Sequence, residues 1–157
     1  MTPLYKNIID RLLTQTEVTA KVDNSNTDYA AGNGRYAIRP GQLDANDGYP
    51  GIVLNLPTVE YEEDLEGLSR HGTATMEIRC CAFDLSSAWD LRTAVVYDTG
   101  DADAPAGLHT YDDIANGILS CLHQGDTEEA IEFGDASGRL LYVVEATLRI
   151  EFSEGDF

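Results

Sequence analysis

The sequence predicts an α+β domain: an antiparallel sheet of about four to five strands, covered by two helices, with a long inserted loop. Three stretches carry this prediction, an amphipathic helix at residues 3–14 and alternating strands at residues 72–83 and 140–152. A chain of 157 residues has the length of a single domain, 1–157, in which residues 84–110 form the insertion.

The strand predicted at residues 72–83 is the centre of this arrangement. Side chains of a strand point alternately to its two faces, so every second residue belongs to the same face. The apolar face comprises Ala74, Met76, Ile78, Cys80 and Ala82, and the polar face Thr75, Glu77 and Arg79. We therefore expect one face to enter the core and the other to meet water or a partner.

The chain before this strand supplies one helix and two short strands. Thr2 is the expected N-cap of the helix and Pro3 its first residue. Two apolar rows follow: Leu4, Ile8 and Leu12, and beside them Tyr5, Ile9 and Leu13. A short turn is expected at residues 17–22, and strands at 35–39 and 52–56, each preceded by a loop of turn-forming residues.

Residues 86–97 are ambiguous, and a loop at 98–108 follows them. They fit a strand, with Trp89, Leu91, Val95 and Tyr97 on one face, about as well as a helix capped by Ser86 or Ser87.

The last part of the chain predicts a second helix and a hairpin. The helix begins at Thr110, has Asp113 in a capping box, and has an apolar stripe of Ile114, Ala115, Ile118, Leu119 and Leu122. Strands at 129–133 and 140–152, joined by a glycine-flanked loop at 134–138, form the hairpin.

The charge balance is strongly acidic. Ten basic residues stand against 28 acidic ones, which gives a formal net charge of −18. Such a surface repels the phosphates of a nucleic acid, so it excludes general binding to a nucleic-acid backbone. The acidity is explained either by solubility or by a surface that faces DNA without holding it.

Five carboxylates are concentrated within seven residues before the central strand: Glu60, Glu62, Glu63, Asp64 and Glu66. Their spacing lacks the pattern of an EF-hand loop, so a solvated hairpin tip is favoured over a calcium site.

No catalytic motif is present, and we expect no cofactor and no metal. Cys80, Cys81 and Cys121 are expected to be reduced and structural, since no signal peptide precedes them. A zinc site joining His71, His109 or His123 to Cys80 or Cys121 is disfavoured. Arg79, Arg149 and Glu77 are interpreted as cross-strand ion pairs on the open face of the sheet. No apolar run approaches membrane-spanning length, so no membrane partner is expected.

Several stretches together resemble the tail-terminator (tail-completion) proteins of long-tailed bacteriophages and gene-transfer particles. They are PLYKNIIDRLL, EVTAKV, YPGIVLNLPTVEY, EEDLEGLSRHG, TATMEIRCCAF, YDDIANGILSCLH and IEFGDASGRLLYVVEATLRIEF. The resemblance covers most of the chain and rests on the order of elements. The sequence departs from the family pattern at residues 84–110, because in the family a helix follows the central strand after a short turn.

The resemblance implies a structural virion protein rather than an enzyme. Such a protein forms a homo-oligomeric ring, usually of six subunits, that caps the tail tube and joins the tail to the head-side connector protein. DNA passes through the ring without specific binding, and the five carboxylates are the expected acidic cluster of the ring. The protein would be assembled in the host cytoplasm and located in the tail or neck of the virion.

Two alternatives remain open from the sequence. The first is a head-closure or adaptor protein of the neck. The second is a small hydrolase that uses Cys81 or a histidine, for which residue type is the only support.

Overall fold

The computed structural model describes residues 4–24, 36–41, 48–55, 57–63, 69–98, 107–133 and 138–155. Three α-helices lie within these ranges: α1 (Leu4–Leu13), α2 (Thr16–Thr19) and α3 (Leu85–Val96). The six strands are β1 (Ile38–Pro40), β2 (Gly51–Leu54), β3 (Thr58–Glu63), β4 (Ser69–Ala82), β5 (Ile118–Glu132) and β6 (Leu140–Gly155). The α+β class predicted from the sequence is therefore confirmed in outline.

The strands form one mixed sheet in the order β1-β2-β4-β6-β5, and β3 pairs with β4 beyond the end of β2. β4 is antiparallel to β2, β3 and β6, but β1 and β2 are parallel. The prediction of a wholly antiparallel sheet of four to five strands is therefore wrong in two respects. The sheet has a sixth strand, and one of its edges is parallel.

The central strand is where the sequence predicts it, with three further residues at its start. All five side chains of its predicted apolar face are buried. Four of them belong to one core cluster, which also contains Ile8 and Leu12 of α1 and Leu91 and Val95 of α3. The fifth, Ala82, belongs to a small cluster with Ala88 of α3. The core therefore lies between the helices and one face of the sheet.

The ambiguous stretch after β4 is the helix α3, and its N-cap is Asp84 rather than a serine. The carboxylate of Asp84 accepts a hydrogen bond from the backbone N–H of Ser87 at 2.8 Å. This bond and a second one from the Ser87 hydroxyl lower the pKa of Asp84. Only Phe83 and Asp84 separate β4 from α3, so the helix follows the central strand directly. The insertion predicted at residues 84–110 therefore begins with a helix instead of a loop.

The helix predicted from Thr110 is wrong. The residues form a 3-10 turn, Ile114–Asn116, which ends at Gly117 in the left-handed conformation, and β5 then begins. Irregularities of register between Ile118 and Ser120 and between His123 and Gly125 each place an extra residue in the strand.

These two bulges explain why the first half of β5 is not recognisable as a strand in the sequence. Its residues on the core face are Ile118, Cys121, His123 and Asp126, opposite Phe152, Ile150, Leu148 and Ala146 of β6. Their spacing of three, two and three residues interrupts the period of two that identifies a strand. Leu119 and Leu122, assigned to the apolar stripe, are exposed instead.

The closing strand and the N-terminal helix are confirmed. β6 extends past its predicted end at residue 152. On the hairpin side it pairs with β5 along its whole length, and the predicted strand at residues 129–133 is only the last part of β5. Thr2, Pro3, Leu56 and residues 134–137 of the predicted hairpin loop lie outside the described residues. None of the helices found in the described ranges has the length and apolarity that a membrane span requires.

Candidate functional site: the open face of the sheet

The polar face of the sheet lies opposite the core, and we call it the open face. It is defined by Thr75, Glu77 and Arg79 of β4 together with the residues that neighbour them across the sheet. It presents three regions in turn: an acidic region at β3, a set of ion pairs in the middle, and an aromatic cluster at the end of β4.

The acidic region contains the described part of the predicted carboxylate cluster. Glu60 and Glu62 lie two residues apart on β3 and are exposed, opposite Thr73 and His71 of β4. Tyr61 between them points to the other face, where its ring packs edge-on against Phe152 with centroids 5.7 Å apart. Glu60 and Glu62 therefore project together from the open face.

The other three members of the cluster are less defined. Glu63 is the last residue of β3, and Asp64 and Glu66 lie outside the described residues. The sheet adds an exposed carboxylate that sequence reasoning missed, because Glu151 of β6 pairs with Thr73, which in turn pairs with Glu60. Alternation predicts the face of Glu151, but only the register across three strands reveals its neighbours.

The middle region is built around Arg79. Its guanidinium forms ion pairs with Glu129 of β5 and, at 3.4 Å, with Glu145 of β6. The predicted cross-strand ion pairing of Arg79 is thus confirmed. Glu77 instead accepts a hydrogen bond from the amide of Asn55 at 2.9 Å.

The charge of this middle region is unbalanced. Burial, together with repulsion from Glu77, raises the pKa of Glu145, and Arg79 only partly offsets this. Arg149 is not paired across strands, since its described ion pair at 3.4 Å is with Glu151 on the same strand. The open face therefore keeps an excess of negative charge.

The aromatic cluster was not predicted. The rings of Tyr49, Phe83 and Phe133 meet edge-on with centroid distances of 5.1 to 5.6 Å. The guanidinium of Arg139 stacks 4.2 Å from the centre of the Phe83 ring. Tyr49 and Phe133 lie next to loops in the sequence, so no periodicity indicates that they approach Phe83 or Cys81 below them.

The side chains of the three cysteines are shielded from solvent. All are free and buried. Burial raises the pKa of Cys121 to about 12, and that of Cys80 is raised by burial and by the neighbouring Cys81. A thiolate nucleophile is therefore disfavoured at Cys80 and Cys121.

Two of the three histidines do come together, on the core face beside α3. The backbone N–H of His123 donates to Nδ1 of His109 at 3.1 Å. His123 Nε2 lies 3.0 Å from Asp126, and its Nδ1 lies 3.1 Å from the hydroxyl of Tyr97. No cysteine joins them, and in the part of the chain that is described no group of three or more metal-ligating side chains occurs.

The histidine pair belongs to a polar network that ties α3 to β5. Arg92 of α3 forms a two-point ion pair with Asp126 at 2.9 and 2.5 Å, and Trp89 donates to Glu128 at 2.6 Å. Burial alone raises the pKa of Asp126, but the hydrogen bonds from Arg92 and His123 outweigh it and leave the pKa lowered. The arrangement holds the helix against the edge strand.

Comparison with solved structures finds a likeness to a chain in the virion of a native gene transfer agent (GTA) particle. The alignment covers 97% of this chain and 96% of that chain, with a TM-score of 0.61 and 12% sequence identity. No protein-family model matches the sequence, and no curated protein matches it significantly. The protein therefore shares, over almost its whole length, the fold of a chain found in a gene transfer agent virion.

Proposed function

We propose that this protein is a structural component of a virion, in which it forms a ring that caps the tail tube and joins the tail to the head-side connector. DNA passes through the lumen of the ring. The observation that carries the proposal is the shared fold, because it covers 97% of this chain and 96% of a chain from a virion particle. The proposal assigns no catalytic reaction to the protein.

The order of elements supports the tail-terminator assignment more strongly than the sequence did. The family resemblance requires a helix directly after the central strand, and the sequence alone places the second helix some 25 residues too late. α3 begins at Leu85, with only Phe83 and Asp84 after the end of β4. α3 therefore lies where the resemblance expects a helix, whereas YDDIANGILSCLH, which the resemblance took as that helix, is a 3-10 turn and the start of β5.

The distribution of charge supports passage of DNA. Exposed carboxylates at Glu60, Glu62 and Glu151 give one end of the open face a negative surface, in which the described ion pair is that of Arg149 with Glu151. Negative charge repels the phosphates of DNA, so a lumen lined in this way offers no binding minimum along the path. We propose that Glu60 and Glu62 face the lumen; the other members of the predicted acidic cluster, Glu63, Asp64 and Glu66, follow them in sequence.

The first test is assembly. The purified protein is mixed with isolated tail tubes of the particle that encodes it, and the mixture is viewed by negative-stain microscopy. Rings bound to the ends of tubes support the proposal, whereas binding to filled heads but not to tubes favours the runner-up, a head-closure or adaptor protein of the neck. The runner-up is also consistent with the shared fold, because that fold is one found in a virion particle and does not by itself assign a position within the particle.

The second test concerns the lumen. The double variant Glu60→Lys/Glu62→Lys should still form rings but should retain DNA, because lysines in the lumen attract phosphates. The matched control is Asp90→Lys/Asp112→Lys, which makes the same change of charge at two exposed residues away from the acidic region. Equal retention of DNA by both double variants, measured by gel shift at about 0.15 M salt, contradicts the lumen assignment.

A further inference from the structure

We infer that the outer edge of β5 from Asp126 to Glu132 is a docking strand, which binds an extended basic segment of another protein by adding it to the sheet. The inference stands on the backbone and charges of β5 and does not depend on ring formation. Strand addition of this kind gains affinity from main-chain hydrogen bonds and specificity from alternate side chains.

The direction of the backbone groups follows from the hairpin. The N–H of Phe133 donates to the carbonyl of Arg139 at 2.8 Å, so these two residues are a hydrogen-bonded pair. Such pairs alternate along an antiparallel ladder. The backbone groups of Glu129 and Ile131 therefore point to β6, and those of Glu128, Ala130 and Glu132 point away from it.

The outward backbone groups have no partner in the described part of the chain. β5 is the last strand of the sheet, and no backbone or side-chain hydrogen bond reaches the outer edge at Glu128, Ala130 or Glu132. Their side chains are exposed. An edge of this length provides a template for another strand.

The first half of β5 provides a contrast. There the outer edge is occupied, because the carbonyl of Cys121 accepts from the N–H of Thr110 at 2.7 Å and the N–H of His123 donates to the ring of His109. The bulge between His123 and Gly125 separates this covered half from the open half. Coverage thus ends where the acidic half of the strand begins.

The charges of the open half determine which kind of segment can bind to it. Four carboxylates flank it, Asp126, Glu128, Glu129 and Glu132. Arg92 and His123 contact Asp126, and Arg79 pairs with Glu129, so Glu128 and Glu132 have no basic partner among the described residues. The same edge of a second copy would bring like charges together, which destabilises a strand pair. A segment with lysine or arginine at alternate positions is complementary to this edge.

The experiment uses a synthetic seven-residue peptide of alternating lysine and valine with blocked ends, and a twin with the same sequence in which every backbone nitrogen is methylated. The methyl groups leave the charge unchanged and remove the backbone donors from both edges of the peptide strand. By fluorescence anisotropy at fixed salt, the wild-type protein should bind the plain peptide at least about tenfold more tightly than the methylated twin. Equal affinity for plain and methylated peptides, or no binding of the plain peptide, overturns the proposal.

A protein variant gives an independent check. Ala130→Pro removes an outward N–H that makes no bond within the sheet, and proline is tolerated at such an edge position. We expect a melting temperature close to that of the wild type and at least about tenfold weaker binding of the plain peptide. Unchanged binding by the folded variant overturns the assignment of the edge, and if the variant does not fold, the methylated twin on the wild-type protein decides.

The alternative occupant is a second copy of the chain. Amide hydrogen exchange of the peptide-free protein reports it, because pairing between copies would slow exchange at Ala130 as protein concentration rises. Exchange at Ala130 that is fast at every concentration and slows only when the peptide is added supports the proposal. Concentration-dependent protection without the peptide overturns the basic partner in favour of self-pairing.

Discussion

At the scale of single residues, Asp126 shows how a polar group is stabilised at the border of the core. Its side chain is about 15% exposed and its carboxylate faces the guanidinium of Arg92, which is equally enclosed. The charge is satisfied by Arg92 and by His123, so the pKa of Asp126 is lowered in spite of burial. Removal of the charge leaves Arg92 without its counter-ion in a partly desolvated position.

We predict that Asp126→Asn lowers the free energy of unfolding by about 1–3 kcal/mol at neutral pH. Because the folded-state pKa is depressed, the contribution of the carboxylate is fully present above its ordinary pKa of about 3.9 and is lost as the pH falls through the folded value. The difference in the free energy of unfolding between wild type and variant, measured by urea unfolding, should therefore become smaller in acid. Asp90→Asn, at an exposed residue of α3, is the control and should leave stability unchanged; a difference that is constant with pH would contradict this account.

The cysteines give a second prediction at this scale. Since Cys80, Cys81 and Cys121 are buried, a thiol reagent should label fewer than three sulfurs in the native protein and all three after denaturation. The raised pKa values of Cys80 and Cys121 further reduce the reactive thiolate. Mass spectrometry after brief labelling near pH 8 measures the result, and rapid native labelling of all three sulfurs would refute it.

At the scale of the element, β6 separates the two faces of the sheet most clearly. Ile150 is buried in the core cluster, while its neighbour Glu151 is exposed on the open face. We predict that Ile150→Asp unfolds the protein, because burial of an unpaired charge costs several kcal/mol, comparable to the stability of a whole domain. Glu151→Lys should leave the protein folded; circular dichroism of the two variants decides, and equal damage would mean that both faces are buried there.

The elements also show what the sequence can and cannot predict. α1, β4 and β6 are predictable because their apolar periods run uninterrupted for ten or more residues. β5 is not, because two bulges place Ile118, Cys121 and His123 on one face at spacings of three and two residues, which breaks the period of two. α3 is ambiguous because its cap, Asp84, comes two residues before the serines that the local pattern suggests.

The candidate site follows the same division. Glu60 and Glu62 are predictable as neighbours because they lie on one strand with period two. The partners of Arg79 and the aromatic contacts of Phe83 come from strands far apart in sequence, so they depend on a register that no local pattern contains. Interactions within an element are thus accessible from the sequence, whereas between elements the sequence indicates that Arg79 pairs across strands but not with which residues.

At the scale of the whole molecule, net charge governs association. Each copy carries a formal charge of −18, so apolar contacts between copies must overcome repulsion. At about 0.01 M ionic strength the Debye length is roughly 30 Å and spans neighbouring subunits, whereas at about 0.15 M it is roughly 8 Å. Free protein at low salt should therefore stay monomeric, and in the proposed ring this would delay closure until a tail end offers a template.

We predict that self-association strengthens as salt or divalent cation is raised, the reverse of the behaviour of a nucleic-acid binder. Sedimentation or light scattering across a salt series at fixed protein concentration measures it. An oligomer that is most stable at low salt would show that complementary ion pairs govern the interface. Such a result would remove the electrostatic control of assembly but not the ring itself.

The pairing of β4 with β6 has a consequence for biosynthesis. The central strand has short partners, β2 and β3, close to it in sequence, but its other edge is completed by β6, from the Ala82–Tyr142 pair to the Ser69–Gly155 pair. Contacts between residues so distant in the chain form slowly, since a long loop must close before they contribute. A nascent chain therefore carries a central strand with one unpaired edge until β6 has left the ribosome. Premature termination before Leu140 would release a fragment in which this long edge is exposed and promotes aggregation.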